Sequence, residues 1–514
     1  MILLLNMTNS PTDAIQTNSA IESIKKIKKQ RDKVAGIMTV VVVLMCFIIP
    51  FNVNLDEFLF EIILLSLAFI TSLSVILLSQ MDPNILFHNG MKKYNSGNLK
   101  SALKNFDKAI KIDPKSLDAL LHRSLVKAKL GDHIGSLRDS AFSTQILYTD
   151  IIETDNKNIE AYIKRGEAFL QLGELKLSLQ DFSKAIKLDP TNSHLYVSRG
   201  HIKAELKNIT AAKKDYDKAI KLNPINYSAY LGRGNILLTQ NKLKESIKEY
   251  GKAVKIDPIN PMAYENRGAA KYELENFKSA LLDLKKAIEL GYREALSYRN
   301  LGKTKFMLHY YKGALNAFNK AIELEDDGFW EYGMRGAAKL TLGDFLGALK
   351  DYDKSLQLNS SIKEHYFSRG VTQFYLENYK KALYDFDRSI ELDTNYAKFY
   401  EVRGITKDLL KDTKGAKKDY EMANSIDPSQ KKEMREMKGF LEYKSGDFKN
   451  ALKEYNECIK QDPHNPGIYY YRGLLKIELK QNKKACTDFL QSNELGFIPA
   501  EEAIKKFNCS VPKK

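Results

Sequence analysis

The chain has 514 residues, of which 44% are hydrophobic and 28% charged, and this is the composition of a folded protein and not of a disordered one. Its four cysteines exclude a scaffold built on disulfides, and they form no zinc-ligand pattern with histidine. The formal net charge of +16 favours acidic partners, anionic lipid or nucleic acid, but a lysine-rich composition alone does not choose among them.

Two apolar stretches near the N-terminus, residues 34–51 and 58–78, are each long enough to span a bilayer core of ~30 Å. We predict that residues 34–80 form a two-helix transmembrane hairpin behind a basic leader, residues 1–33. The positive-inside rule then places the leader and everything after the hairpin in the cytoplasm, so that the protein is an integral membrane protein. The alternative is a single signal anchor, with the second stretch packed elsewhere.

From residue 83 onward the sequence repeats with a period of 34 residues. Residues 196–224 read YVSRGHIKAELKNITAAKKDYDKAIKLNP, and residues 264–290 read YENRGAAKYELENFKSALLDLKKAIEL. When each repeat is numbered from 1 to 34, position 8 is glycine in eleven of twelve copies and position 24 is mostly aromatic. A glycine inside a helix costs roughly 1 kcal/mol relative to alanine, so its recurrence indicates a close approach between helices.

The period and the small/aromatic pattern resemble those of the tetratricopeptide repeat (TPR) family, over twelve copies in residues 83–499. The resemblance implies an all-α fold, a right-handed superhelix (α-solenoid) of about twelve helix–turn–helix units. We predict that the second repeat, residues 117–158, is enlarged by a second helix about two turns longer than usual. Because the end of a solenoid exposes an apolar face, residues 499–514 are predicted to supply a capping helix and a tail.

Position 7 is arginine or lysine in ten repeats, and position 23 is acidic in the same ten. Where one position changes, both change: the seventh repeat has Leu301 with Ala317. Because the two positions lie level in an antiparallel helix pair, we predict a structural salt bridge within each repeat. A row of ligand-binding arginines is the alternative, but it would need no matching acids. Representative pairs are Arg165 with Asp181, Arg199 with Asp215, Arg335 with Asp351, Arg369 with Asp385, and Arg403 with Asp419.

No catalytic motif stands out, since the sequence has no phosphate-binding loop, nucleophile elbow, zinc-protease motif or kinase signature. The repeats and the apolar stretches leave no room for an enzyme domain, so we predict a non-enzyme without a cofactor or metal. Most aromatic residues fall at the packing positions 4 and 24. Nucleic-acid binding is therefore not expected, because it would need stacking aromatics beside basic residues on one face.

These features predict a membrane-anchored TPR scaffold or adaptor that binds a partner protein or peptide, and the positive charge makes an acidic partner one option. Two alternatives stay open. One is a receptor-like or chaperone-like component of protein translocation or envelope assembly, and the other is an enzyme with an unrecognised site. The oligomeric state is not predicted.

The resemblance implies a ligand groove on the concave surface, lined by positions 2, 5, 6 and 9 of the first helices. Near the eighth repeat these positions become apolar, beside a basic and amide-rich rim, which suits a peptide with one bulky side chain and nearby acids. The carboxylate clamp of chaperone adaptors is matched only at Asn235 and Asn266, so a true clamp is not expected. The alternative is that Trp330, the chain's single tryptophan, packs as an ordinary core residue and not as part of a ligand site. The predicted groove residues are Asn266, Arg299, Asn300, Lys303, Trp330, Met334, Phe367 and Val371.

Cys486 lies early in the second helix of the last repeat, and Cys509 ends the predicted cap. Antiparallel packing of these segments would bring the two cysteines together, whereas the alternative is two unrelated core residues. In a cytoplasmic protein we expect both to remain thiols.

Overall fold

The computed structural model describes residues 82–326, 328–427 and 435–509. They belong to two compact units, the first ending at Asp215 and the second beginning at Tyr216. Within the described ranges every regular element is an α-helix, 25 in all, so the predicted all-α helical-repeat fold is confirmed for this part of the chain.

Helices α1 to α24 form twelve consecutive helix pairs joined by short turns, and α25 follows the last pair. The odd-numbered helices up to α23 are the first helices of the repeats, and the even-numbered helices are the second helices. The bounds are α1 (Pro83–Asn95), α2 (Leu99–Ile112), α3 (Leu117–Lys129), α4 (His133–Thr154), α5 (Ile159–Gln171), α6 (Leu175–Leu188), α7 (Ser193–Glu205), α8 (Ile209–Leu222), α9 (Tyr227–Thr239), α10 (Leu243–Ile256), α11 (Pro261–Glu273), α12 (Phe277–Glu289), α13 (Ala295–Met307), α14 (Tyr311–Leu324), α15 (Phe329–Thr341), α16 (Phe345–Leu358), α17 (Lys363–Tyr375), α18 (Tyr379–Leu392), α19 (Ala397–Leu409), α20 (Thr413–Ile426), α21 (Arg435–Ser445), α22 (Phe448–Gln461), α23 (Pro466–Glu478), α24 (Asn482–Glu494) and α25 (Ile498–Lys506).

The helices begin where the sequence supplies capping residues. The Asn260 side chain accepts the backbone N–H of Met262 at 3.1 Å, and Pro261 occupies the first turn, where no N–H is needed. Asp344 accepts the N–H of Gly347 at 2.9 Å at the start of α16. Such caps satisfy N–H groups that have no partner inside the helix, and they fix where each repeat turns.

The recurring glycine at position 8 lies against the aromatic ring at position 24 of the same repeat. A Cβ atom added at Gly370 would lie 2.6 Å from a ring carbon of Phe386, and one added at Gly473 would lie 2.6 Å from Phe489. Both rings are completely buried. The helix approach that the glycine pattern indicates is therefore a contact between bare backbone on the first helix and a ring on the second.

The arginine at position 7 is bound by the acid at position 23 in a fork-to-fork geometry. Arg369 donates from Nε and Nη2 to the two carboxylate oxygens of Asp385, at 3.0 and 2.6 Å. The Asp385 side chain is only 3% exposed. The closest nitrogen–oxygen distance is 2.5–2.8 Å in the pairs Arg123 with Asp139, Arg165 with Asp181, Arg199 with Asp215, Arg233 with Glu249, Arg267 with Asp283, Arg335 with Asp351, Arg369 with Asp385, Arg403 with Asp419, and Arg472 with Asp488.

Two of the other predicted pairs repeat this geometry closely. Arg165 donates from Nε and Nη2 to the two oxygens of Asp181, at 2.8 and 2.7 Å. Arg335 donates in the same way to Asp351, at 2.8 and 2.6 Å. Asp181 and Asp351 are both buried. The two acids therefore lie in the interior of their repeats, each with an arginine across from it on the first helix.

Two further contacts extend these pairs. Arg403 also donates from Nη1 to Asp387, which belongs to the preceding repeat, at 2.6 Å. Lys407, one turn along α19, places its ammonium 2.8 Å from the Asp419 carboxylate. The four side chains form a neutral group that joins two helices of one repeat to the repeat before it. Lysines at the same position contact the acid in the pairs Lys127 with Asp139, Lys203 with Asp215, Lys271 with Asp283, Lys339 with Asp351, and Lys476 with Asp488.

The seventh repeat has an apolar contact where the others have the charged one. Leu301 and Ala317 are both buried, and they pack with Leu284 of the preceding repeat. The eleventh repeat has a looser version, in which Lys438 lies 3.4 Å from Glu454 and Arg435 lies 2.8 Å from it. In the seventh repeat both positions have thus changed together, and an apolar contact replaces the charged one.

The ends of the repeat array carry two irregular features. Helix α4 has 22 residues, whereas the other second helices have 13 or 14. Helix α25 covers the last pair, with the Phe507 ring stacked 5.6 Å from that of Phe489. Cys486 and Cys509 are joined in a disulfide, so the expectation that both remain thiols is wrong. That expectation rested on a cytoplasmic location, whereas packing of α25 against α24 brings the two sulfur atoms into bonding distance.

Among the described residues, no helix has both the length and the apolar character needed to cross a membrane. This finding contradicts the predicted localisation, an integral membrane protein with cytoplasmic repeats, and that localisation is not retained. The longest described helix, α4, illustrates the physical reason, because it carries Arg138, Asp139, Asp150 and Glu153 along its 22 residues. The predicted hairpin at residues 34–80 and the leader before it lie outside the described residues.

The charge pair gives a stability prediction. Asp385→Ala leaves the Arg369 guanidinium, 19% exposed, without its main partner, and should lower the free energy of unfolding by about 3–5 kcal/mol. The double variant, Arg369→Leu together with Asp385→Ala, copies the seventh repeat and should cost much less. Hydrogen exchange of α17 and α18 in urea measures the loss of unfolding free energy in the single and in the double variant. Equal destabilisation by the single and the double variant would contradict the charge-pair interpretation.

The disulfide gives a second prediction. It closes a segment of 23 residues, and closing a loop of this length is worth roughly 3 kcal/mol, or about a hundredfold in the local opening equilibrium. Cys509→Ser should therefore speed hydrogen exchange in α25 by about that factor, while exchange in α17 stays unchanged. Unaltered protection of α25 would show that the Phe507 contact and its neighbours hold the cap without the disulfide.

Candidate functional site

A cavity of about 270 Å³ lies among the first helices of the second unit. Phe367 and Val371 reach it from α17, Glu436 from α21 and Tyr471 from α23. These residues occupy positions 5, 9, 5 and 6 of their repeats, which are the positions that the resemblance assigns to the concave surface. Three further aromatic side chains and three polar ones complete most of the lining: Phe345, Tyr375, Phe497, Thr341, Lys398 and Asn465.

The cavity is bordered by a contact between the eighth repeat and the C-terminal cap. The backbone N–H of Ile498 donates to the carbonyl of Leu342 at 2.8 Å, and the rings of Phe345 and Phe497 meet edge to face at 6.4 Å. Gly343, between Leu342 and Asp344, has φ of 78°, and a Cβ atom there would lie 2.5 Å from Pro499. Glycine is therefore required at this turn by its backbone conformation and by the close approach.

Two neighbouring turns make further contacts with the C-terminal repeats. The His309 ring, in the turn after α13, stacks 4.9 Å from that of His464. In the turn after α17, Glu377 accepts from the Lys444 ammonium at 2.6 Å. The turns that follow α13, α15 and α17 thus all meet segments 67 or more residues further along the chain.

Glu436 is the one acidic side chain in the lining. Its carboxylate accepts the Tyr375 hydroxyl at 2.6 Å and the Asn465 side-chain amide at 3.2 Å. Burial raises the pKa of the Glu436 carboxyl, and these two hydrogen bonds oppose that rise by favouring the charged form. Burial also raises the pKa of the Tyr375 hydroxyl well above its ordinary value, so this group remains a donor.

The predicted apolar groove residues are divided between the cavity and the surface beside it. Phe367 and Val371 line the cavity. Trp330 does not, being 49% exposed with its ring edge-on to that of His365 at 5.5 Å. Met334 is half-buried one turn along α15. Trp330 is therefore a half-exposed apolar side chain that contacts α17, the helix that also carries Phe367 and Val371.

The predicted rim residues are largely engaged by other side chains of the chain. Arg299 donates to Glu331, which is 2% exposed. Asn300 donates its amide to Glu265 at 2.8 Å. Asn266 donates to Asn235 at 3.3 Å, and the Lys303 ammonium lies 4.8 Å from the centre of the Tyr272 ring. This rim therefore gives little support for an acidic partner.

The charge pairs predicted as structural residues take no part in the cavity. Asp181 and Asp351 are buried, and neither of them lines it. The hydrogen bond to Asp181 raises the pKa of the Arg165 guanidinium, so that arginine stays charged and bound to its acid. These acids and their arginines therefore belong to the packing of the repeats and not to the candidate binding surface.

Sequence reasoning missed Glu436, Tyr375, Tyr471 and Phe497. Tyr375 is at position 13, outside the concave positions, and it reaches the cavity because its ring stacks on Tyr471 at 5.4 Å, across 96 residues of chain. Glu436 was detectable as an acid at a concave position, but its position gives no sign of the aromatic residues around it. Within the described ranges no group of three or more potential ligands could hold a metal ion.

Family models identify the repeats. A model described as TPR repeat matches residues 234–275 and 439–479, and two described as tetratricopeptide repeat match residues 159–192 and 193–226. The prediction of tetratricopeptide repeats is confirmed at these residues. The chain therefore carries TPR repeats.

The chain is similar to dynein axonemal assembly factor 4 of Pongo pygmaeus and of Mus musculus. Each is 28% identical over 111 residues, which are 22% of this chain and 26% of the relative. The chain thus spans about a quarter of the length of the curated relatives it matches.

Several solved structures are also similar. The crystal structure of YrrB, a TPR protein with an unusual peptide-binding site, is 26% identical, covers 35% of this chain and 92% of its own, and has a TM-score of 0.33. PilF of Pseudomonas aeruginosa is 19% identical, covers 41% of this chain and 96% of its own, and has a TM-score of 0.38. The APC/C hetero-tetramer Cut9–Hcn1 is 13% identical, covers 84% of this chain and 98% of its own, and has a TM-score of 0.33.

The closing turn gives a third prediction. Gly343→Ala should displace Pro499 and Phe497 as well as strain the backbone, and hydrogen exchange should become faster in residues 494–500. Gly97→Ala is the matched control, because Gly97 has φ of 76° in the corresponding turn of the first repeat but nothing within 4 Å. It carries only the conformational cost of about 1–2 kcal/mol. Equal exchange in residues 494–500 for both variants would contradict the closing contact.

Proposed function

We propose that the protein is an interaction scaffold or adaptor that binds a partner protein through a peptide segment. The segment would lie on the concave surface of the second unit, over the cavity and the adjoining Trp330. The observation that carries this proposal is the cavity itself, in which apolar side chains at concave positions surround a small number of polar groups. Binding sites commonly combine apolar walls with a few polar groups that fix orientation.

The closed geometry supports this proposal. Contacts between distant repeats hold Phe345 against Phe497 and Tyr375 against Tyr471, so the walls are formed before a ligand arrives. A surface that is already ordered loses less conformational entropy on binding than one that must fold around its ligand. The half-exposed Trp330 adds a large apolar side chain of the type that dominates binding energy at interfaces.

The proposed partner need not be acidic. The positively charged side chains that were predicted to attract acids already contact other residues of the chain. The clearest case is Arg299, which forms an ion pair with Glu331. The acid in the cavity, Glu436, would repel a carboxylate. An acidic C-terminal peptide held by a clamp of lysine and asparagine side chains is therefore a poor fit to this surface.

A role in assembling a larger complex is a second candidate. It is supported by the similarity to dynein axonemal assembly factor 4, and it agrees with the chaperone-like alternative from the sequence. That similarity covers 22% of this chain and 26% of the relative. Lasting one-to-one binding would favour the scaffold, whereas release of the partner after assembly would favour the assembly role.

The fourth prediction tests the binding surface. Peptides selected from a random display library by the purified full-length chain should lose at least 2 kcal/mol of binding free energy, or about thirtyfold in affinity, with Trp330→Ala. Tyr384→Ala is the matched control, because it removes an aromatic side chain, 61% exposed, from the second helix α18. Isothermal titration gives the affinities, and circular dichroism checks the fold.

Two results would overturn the proposal. One is the failure of the library to yield any peptide above background. The other is unchanged affinity in a folded Trp330→Ala variant, combined with loss in Tyr384→Ala, which would place binding on the outer surface.

A further inference from the structure

Glu436 has hydrogen-bond donors but no counterion among the described residues. Its oxygens accept from Tyr375 and Asn465, and no described lysine, arginine or histidine nitrogen lies within 4.0 Å of them. The basic neighbour on the same helix, Arg435, is turned to Glu454 at 2.8 Å. The nearby Asp462 adds a second negative charge to the surroundings of Glu436.

This arrangement differs from every charge pair in the repeats. Asp385 has Arg369 with two hydrogen bonds, and Asp419 has Arg403 and Lys407. A carboxylate removed from water without an opposite charge is costly, and a cation brought to it recovers part of that cost. Glu436, to which the described residues bring no opposite charge, also lines a cavity.

The walls suit the rest of a cationic side chain. Phe345, Phe367, Tyr375, Tyr471 and Phe497 offer ring surfaces to a methylene chain and to a positive charge. The Lys398 ammonium already lies 5.7 Å from the centre of the Phe367 ring, which shows that this wall accepts a cation. Lys398 forms no ion pair with Glu436, so the carboxylate remains available. A volume of about 270 Å³ is slightly below the range of small-molecule sites and suits one long side chain.

We propose that this cavity is a specificity pocket for one lysine or arginine side chain of the bound peptide, with Glu436 as its counterion. The inference rests on the proposed function, since it names the residue class that the concave surface selects. Tyr375 and Asn465 hold the carboxylate in place, and the aromatic walls enclose the aliphatic part of the ligand side chain.

The test uses three capped amino acids with the full-length chain: the Nα-acetyl methylamides of lysine, arginine and norleucine. Norleucine keeps the aliphatic chain of lysine but lacks the charge. Saturation-transfer NMR titrations should show the lysine or arginine probe binding at least tenfold more tightly than norleucine. Glu436→Gln should abolish that preference. Glu442→Gln is the matched control, because Glu442 lies on the same helix outside the lining, and it should preserve the preference.

Equal binding of the charged and neutral probes, no detectable binding of any probe, or a preference retained in a folded Glu436→Gln variant would each overturn the pocket. Failure of the cation pocket can be distinguished from failure of the proposed peptide binding. Display-selected peptides that keep their affinity when lysine or arginine is replaced by norleucine would preserve peptide binding and remove the cation pocket. A lysine preference without any selected peptide would preserve the pocket and remove peptide binding.

Discussion

A buried carboxylate that must be neutralised at one fixed place organises most of the described helix pairs. The Asp419 carboxylate accepts two hydrogen bonds from Arg403 and contacts Lys407, and Asp387 of the preceding repeat balances the extra positive charge. The guanidinium also lies 5.4 Å from the centre of the Tyr400 ring. Because fork-to-fork geometry tolerates little displacement, this group fixes the register of one helix on the other and of one repeat on the next. Buried pairs of this kind specify geometry more than they add stability.

Fixed register within the repeats allows distant repeats to meet. Without a fixed register, small displacements of the helices in each repeat would accumulate over the four or five repeats that separate Leu342 from Ile498. The backbone hydrogen bond of 2.8 Å between these two residues would then not form reliably. The closure in turn places Phe345, Phe497, Tyr375 and Tyr471 around one cavity. The candidate site is thus a product of repeat geometry, although no residue of the charged groups lines it.

Local features of the sequence were sufficient to predict the helices, their pairing and the chemistry between them. The glycine at position 8 and the ring at position 24 reflect a contact within about 16 residues, as at Gly370 and Phe386, and the arginine and its acid are equally close in sequence. The groove residues stay a prediction, although Phe367 and Val371, which were named from their repeat positions, line the cavity. It treated Arg299 as free because the interaction with Glu331 spans two repeats.

The closure could not be predicted in this way, because it depends on the angle between successive repeats. Gly343 occupies a turn where other repeats have residues such as Lys207, so its sequence position alone does not reveal the contact with Pro499. The predicted membrane localisation was wrong for a different reason: it rested on residues 34–80, which lie outside the described residues, whereas no described helix is long and apolar enough to cross a membrane.

Zero-length carbodiimide cross-linking of the native full-length chain tests the closure most directly. Lys444 and Glu377 lie 2.6 Å apart across 67 residues, and both are partly exposed, so activation of the carboxylate should produce an amide bond between them within one molecule. Mass spectrometry of the digested monomer should find this linkage together with Lys505–Glu501, a pair within one helix at 2.8 Å that reports on the efficiency of the reaction. Recovery of the Lys505–Glu501 linkage without Lys444–Glu377 would contradict the closed cavity.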